Sequence, residues 1–168
     1  MLVDAVRLLL FPAVMAFAAS TDLFTMKISN RVPLVLAGGF AVLAVIDGMP
    51  LVDVGNHVAA GFLVLAVCFG FFAFGWIGGG DAKFAAATAL WFGWVELYEY
   101  LVIASLFGGI LTYLLLEFRR RMLPPMLANQ PWLARLHEPN GGVPYGIALA
   151  AAALAIYPST AWMKVAGL

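Results

Sequence analysis

Six stretches of the chain, at about 2–20, 32–46, 57–76, 82–95, 97–116 and 143–162, are apolar and nearly free of charge. A helix needs about 20 apolar residues to cross a bilayer, and only helices or closed barrels satisfy their backbone there. The pattern predicts an all-α membrane protein of about six transmembrane helices, forming a single domain over residues 1–168. Composition supports this. Hydrophobic residues make up 64% of the chain and charged residues 11%, whereas a soluble domain carries about 25% charged residues. Too little polar surface is present to cover a water-soluble globule. The first stretch has features of a signal peptide, with Arg7 before an apolar run and Ala16-Phe17-Ala18 as a small-residue site. The further spans behind it favour a retained helix.

Polar or glycine-rich connectors separate the spans at 21–31, 47–56, 78–80, 93–96 and 117–142. If the first, third and fifth share one side, that side holds Lys27, Arg31, Lys83, Arg119, Arg120, Arg121 and Arg135. The other side, with both termini, holds only Arg7 and Lys164. Cations collect on the cytoplasmic side, so both termini are expected outside. Arg119-Arg120-Arg121 then reads as an anchor to anionic lipid. The stretch 122–136 alternates apolar residues with prolines, which suits a segment lying along the membrane surface rather than one long helix.

Several chemistries lack their parts. Cys68 is the single cysteine and reads as packing filler, so neither a disulfide framework nor a zinc site is available. His57 and His137 are far apart, and there is no phosphate loop of the Walker type. No metal, cofactor or nucleic-acid partner is expected.

Ionisable residues at membrane depth are costly and are retained mostly for function. Asp22 closes the first span and Asp81 opens the fourth. The topology above puts both at the cytoplasmic boundary, which allows them to meet. Read singly, Asp22 is an interfacial helix end and Asp81 a helix N-cap. Read together, they are a candidate pair. Gly78, Gly79 and Gly80 precede Asp81 and let backbone approach backbone or substrate closely, and they permit local unwinding. Two facing carboxylates share a proton, so one accepts a proton from water while the other donates one to a carbonyl oxygen.

Three motifs carry a family resemblance. The segment Asp22-Leu23-Phe24-Thr25-Met26-Lys27-Ile28-Ser29-Asn30 resembles the Asp, basic residue, Ile-Pro-Asn pattern of prepilin peptidases. Gly78-Gly79-Gly80-Asp81-Ala82-Lys83 is similar to their Gly-x-Gly-Asp-x-Lys signature, and Val143-Pro144-Tyr145-Gly146 to the Pro-Tyr-Gly segment that opens their last helix. They occur in family order along essentially the whole chain. Ser29 stands where proline is usual. The resemblance implies a Gly-x-Gly-Asp intramembrane aspartic protease in a bacterial inner membrane, with Asp22 and Asp81 catalytic and no cofactor. Its substrate would be a type IV prepilin or pseudopilin, whose short basic leader is cut from its apolar helix at the cytoplasmic boundary, commonly after a glycine, with the lipid bilayer and pilus-assembly machinery as further partners. The paired-cysteine domain of the larger members has no counterpart here. The short form, similar to the peptidases of tight-adherence (Flp-type) pili, implies no methyltransferase activity.

Three further residues have two readings each. Lys83 tunes Asp81 or anchors its helix at the interface, and the anchor is favoured. Asn30 bonds a loop near the aspartates or caps the second span, and the cap is favoured. Tyr145 packs near the site or joins an aromatic belt with Trp76, Trp91, Trp94 and Trp162. The rival to a protease is a non-enzymatic small transporter or assembly subunit, using the two aspartates as a proton or cation path. Such groups belong near the midplane of repeated halves, and no repeat is visible.

Overall fold

The computed structural model describes residues 2–124, 129–139 and 141–165. Among them every regular element is helical: α1 (Leu2–Thr25), α2 (Arg31–Ile46), α3 (Leu51–Ala73), α4 (Gly79–Arg120), α5 (Pro131–His137), α6 (Tyr145–Ile156), a 3-10 turn (Tyr157–Ser159) and α7 (Ala161–Val165). Helices α1, α3 and α4 are long and apolar enough to cross a membrane, whereas α2 and the α6 region are apolar but shorter.

The fourth and fifth expected spans are two helices joined across a kink, in one run of 42 residues. Drawn straight it would be about 63 Å long, roughly twice the hydrocarbon thickness. It bends at Gly93, whose φ of 60° and ψ of −156° lie in a region open essentially to glycine alone. The second limb folds back on the first. The Tyr100 ring packs on Phe92 at 5.2 Å, and Ala104 and Gly108 share a cleft with Ala85 and Asp81.

A helix break in apolar surroundings must have its freed carbonyls satisfied. Two side chains do this. His57 Nδ1 lies 2.8 Å from the Leu90 carbonyl, so that nitrogen carries the proton and donates it. Trp162 Nε1 donates to the Trp91 carbonyl at 2.8 Å. Trp91 and Trp162 are therefore buried in the core, not in an interfacial belt, while Trp76 and Trp94 remain exposed. An alanine Cβ at position 93 would fall 3.0–3.1 Å from the His57 ring on a left-handed backbone. Gly93→Ala is expected to cost about 1–3 kcal/mol, seen as a lower melting temperature in detergent. An unchanged melting curve would show that the bend does not depend on glycine.

Helix boundaries follow local chemistry. The third span begins at Leu51, six residues earlier than the sequence suggests, because Pro50 accepts from the Asp53 and Val54 amides and starts the helix there. It ends at Ala73 in a Schellman turn: Trp76 N–H reaches the Phe71 carbonyl, Gly75 N–H reaches Phe72, and Gly75 has φ 73°. The last expected span, 143–162, is broken instead, because Pro158 lacks an amide proton and the chain tightens into the 3-10 turn. Of the surface segment expected at 122–136, residues 125–128 lie outside the described residues, and α5 takes up its end.

One end of the bundle is held by aromatic packing and a buried charge cluster. Phe11 stacks on Tyr157 with centroids 4.4 Å apart and meets Trp91 at 5.1 Å. Arg7 is 8% exposed and donates to Asp47 and Asp4. The Tyr157 hydroxyl donates to the Arg7 carbonyl at 2.6 Å. These contacts fix α1 against α2 and the 3-10 turn. The opposite end of α1 carries Asp22.

Candidate functional site

Asp22 lies one turn from the end of α1. Its carbonyl accepts the Met26 amide at 2.7 Å, and Met26 has φ 53°, which is uncommon for a residue with a side chain. The chain turns there and brings Ile28 back against the start of α4. A side chain at Gly80 would fall 3.2 Å from the Ile28 carbonyl oxygen and 3.3 Å from its Cβ. The glycine-rich run is thus a close helix–backbone contact. It is not an unwound loop: α4 begins at Gly79, with Gly78 in the cap position. Gly79 packs beside Phe72. Asp81 stands inside the first turn and is not the cap; there it gains from the helix dipole.

The two aspartates converge on the beginning of α6. Asp22 is 3% exposed, and its Oδ2 accepts the Gly146 amide proton at 2.7 Å. The next amide, that of Ile147, donates to the Pro144 carbonyl at 3.2 Å. Asp81 lies within electrostatic reach of Asp22 and of the Gly146 amide, and its Oδ2 would stand 2.8 Å from a Cβ at Gly78. One Asp81 oxygen, Oδ1, is shielded from solvent and has no hydrogen-bond partner among the described residues. A buried acceptor left free is rare in a folded protein and asks for a functional explanation. From Asp81 a cleft of about 290 Å³ runs between α3, the second limb of α4 and α6, and is lined by Cys68, Ile77, Gly108, Gly109, Tyr145 and Leu149, among others.

The remaining residues singled out by sequence take different places. Tyr145 belongs to the site. Its ring would lie 3.4 Å from a Cβ at Gly108, and its hydroxyl accepts from Thr112 at 3.3 Å. Lys83 and Asn30 find each other, with Nζ donating to Oδ1 at 2.9 Å. Asn30 occupies the cap position of α2 but makes no side-chain capping bond, because its carbonyl oxygen is engaged by Lys83; Ser29 Oγ accepts the Arg31 amide instead. Two residues apart on a helix, Lys83 and Asp81 do not face one another. The Lys83–Asn30 pair sits at a second groove of about 570 Å³ among α2, α3 and the first limb of α4, whose lining includes neither aspartate. Among the described residues no group of three metal-ligating side chains forms.

Sequence reasoning gave no separate role to Gly146, although it lies within the Pro-Tyr-Gly segment. Its backbone N–H donates to Asp22 within electrostatic reach of Asp81, and its lack of a Cβ leaves room for Asp22. The signal was the motif; the role needed contacts across the whole chain.

The molecule is an all-helical membrane protein that brings a buried carboxylate, Asp22, and a half-buried one, Asp81, together at one end of its bundle. A family model described as the type IV leader peptidase family matches residues 9–113, a range that includes both aspartates. The chain belongs to that family of peptidases. No curated protein and no solved structure matches it.

Proposed function

We propose that the protein is an aspartic endopeptidase of six membrane passes, made by α1, α2, α3, the two limbs of α4, and α6. It removes the leader of Flp-type type IV prepilins or pseudopilins at the cytoplasmic face of the inner membrane. The observation that carries this reading is the meeting of Asp22 and Asp81 at the start of α6, where the Gly146 amide bonds Asp22 and Asp81 shares a cleft with Tyr145. Family membership supports a leader peptide as the substrate.

In this mechanism water attacks the carbonyl carbon of the scissile bond. One aspartate takes the proton from water while the other, protonated, donates to the carbonyl oxygen. Collapse of the tetrahedral intermediate breaks the C–N bond, and the leaving nitrogen takes a proton. The products are a leader with a new carboxylate and a mature chain with a new amine. The free acceptor Asp81 Oδ1 suits a group that must receive a proton or hold water. The Gly146 amide holds Asp22 in a fixed orientation, so little reorganisation is required at the moment of reaction.

The orientation has structural support too. Arg135 donates to the Phe24 carbonyl at 2.7 Å, so the cation-rich segment lies beside the Asp22 end of α1. Arg7 and Tyr157 meet at the other end, where both termini would face outward. The test is co-expression with a candidate prepilin and mass measurement of its N-terminus. The expected product lacks the basic leader. A prepilin that stays intact beside well-expressed, folded protein, across a panel of Flp-type substrates, would overturn the reading.

A further inference from the structure

The segment that delivers Gly146 to Asp22 is itself held, and the holder is an arginine that the sequence pattern places among lipid anchors. Arg119 lies in the last turn of α4. Its guanidinium donates to three main-chain carbonyls: Nε to Leu136 at 2.8 Å, Nη1 to Gly141 at 2.9 Å and Nη2 to Gly142 at 2.7 Å. A planar fork with several donors and no acceptor suits such a task, and an ammonium, with its donors on one nitrogen, can reproduce only part of it. The neighbours behave differently. Arg120 and Arg121 have side chains 77% and 76% exposed and approach Glu117 at 3.6 and 3.4 Å. Exposed pairs of this kind contribute little, and these two residues fit the anchoring role.

From Gly142 only three residues intervene before Gly146. The second limb of α4 grips this stretch at both ends. Arg119 holds the carbonyls of Gly141 and Gly142, and Thr112 and Gly108 hold Tyr145. The Gly146 amide, 2.7 Å from Asp22 Oδ2, is the next group along. We propose that Arg119 is a positioning residue of the peptidase site, fixing through segment 141–146 the amide that orients Asp22. The proposal rests on Asp22 acting in catalysis.

The test uses the full-length protein in lipid nanodiscs. Its substrate is a synthetic peptide with a basic leader ending in glycine, joined to an apolar helix. Arg119→Ala is expected to lower kcat by about 10–100-fold while KM moves little, because the substrate-binding surface is untouched. Arg119→Lys should recover part of the loss. Arg120→Ala should match the wild type. Hydrogen exchange supplies a readout besides activity: amides at 143–147 should lose protection in Arg119→Ala, while those at 84–92 keep it.

Equal rates for Arg119→Ala and Arg120→Ala would overturn the proposal, as would a loss that tracks global unfolding with no advantage for lysine. If Arg119→Ala does not fold, Gly141→Ala decides. Its Cβ would fall 3.1 Å from Arg119 Nη2 and 3.1 Å from the Glu138 carbonyl, disturbing the same contact. It should lower kcat in the same way, and a wild-type kcat there would also overturn the proposal. An Asp22→Asn control separates the two levels of inference. If that variant still cleaves, the catalytic reading fails, while the exchange data still report whether Arg119 orders 143–147.

Discussion

Asp22→Asn and Asp81→Asn are each expected to yield a folded membrane protein that leaves a prepilin leader uncut. Asparagine keeps the shape of aspartate but neither accepts nor donates a proton in the required way. General acid–base groups contribute about 10²–10⁴-fold each, and groups acting as a unit lose nearly everything when one is removed. The expected loss is at least about 10⁴-fold for either change, and the double variant should be little worse than the singles. Folding should survive, for two reasons. The asparagine carbonyl at position 22 can still accept the Gly146 amide, which lies 2.7 Å away in the native protein. At position 81, an oxygen already without a partner among the described residues is exchanged for a neutral group, and burying a neutral amide costs less than burying a charge. Product mass and thermal unfolding in detergent, measured on the same samples, check both halves. Normal processing by either variant would remove that residue from the mechanism.

What the sequence revealed and what it hid divide along one line. Features set by local chain chemistry were legible. The apolar run at 32–46 is α2 to within a residue, and the positions of Asp22 and Asp81 at helix ends follow from where the apolar runs stop. The bend at Gly93 was visible as a polar interruption, although only one residue leaves helical geometry there. Features set by a partner elsewhere in the chain were hidden. Asn30 reads as a cap until Lys83, 53 residues away, takes its carbonyl oxygen. Trp91 and Trp162 read as interfacial until their indole N–H groups are seen bonded to the Leu36 and Trp91 carbonyls in the core. Arg119 reads as one of three equivalent cations until its three carbonyl partners set it apart. In each case a propensity or charge rule gives the residue's default, and a specific long-range hydrogen bond overrides it. Buried polar groups must find partners, so such overrides concentrate where the backbone is irregular, at the helix break and around the aspartates.

Gly146→Ala offers the sharpest separation of fold from site. Gly146 is the second residue of α6, in a regular helical turn, and there alanine is the better helix former by about 1 kcal/mol. Its Cβ would nevertheless arrive 2.8 Å from Asp22 Oδ2, 3.1 Å from Asp22 Cγ and 2.6 Å from Ile28 Cδ1. The end of the isoleucine side chain can rotate aside. The carboxylate can yield only by leaving the Gly146 amide and moving relative to Asp81. Displacement of a reacting group by about 1 Å is enough to cost roughly 10²-fold in rate. The helix gain offsets part of the roughly 1–3 kcal/mol lost with the buried hydrogen bond, so the variant is expected to fold and to melt only modestly below the wild type, while kcat falls by about 10²-fold with little change in KM. Gly38→Ala in α2 is the matched control, since nothing lies within 4 Å of the Cβ it would add, and it should cleave normally. A Gly146→Ala enzyme with wild-type kcat would show that the amide contact to Asp22 is dispensable, and the positioning role assigned to segment 141–146 would fall with it.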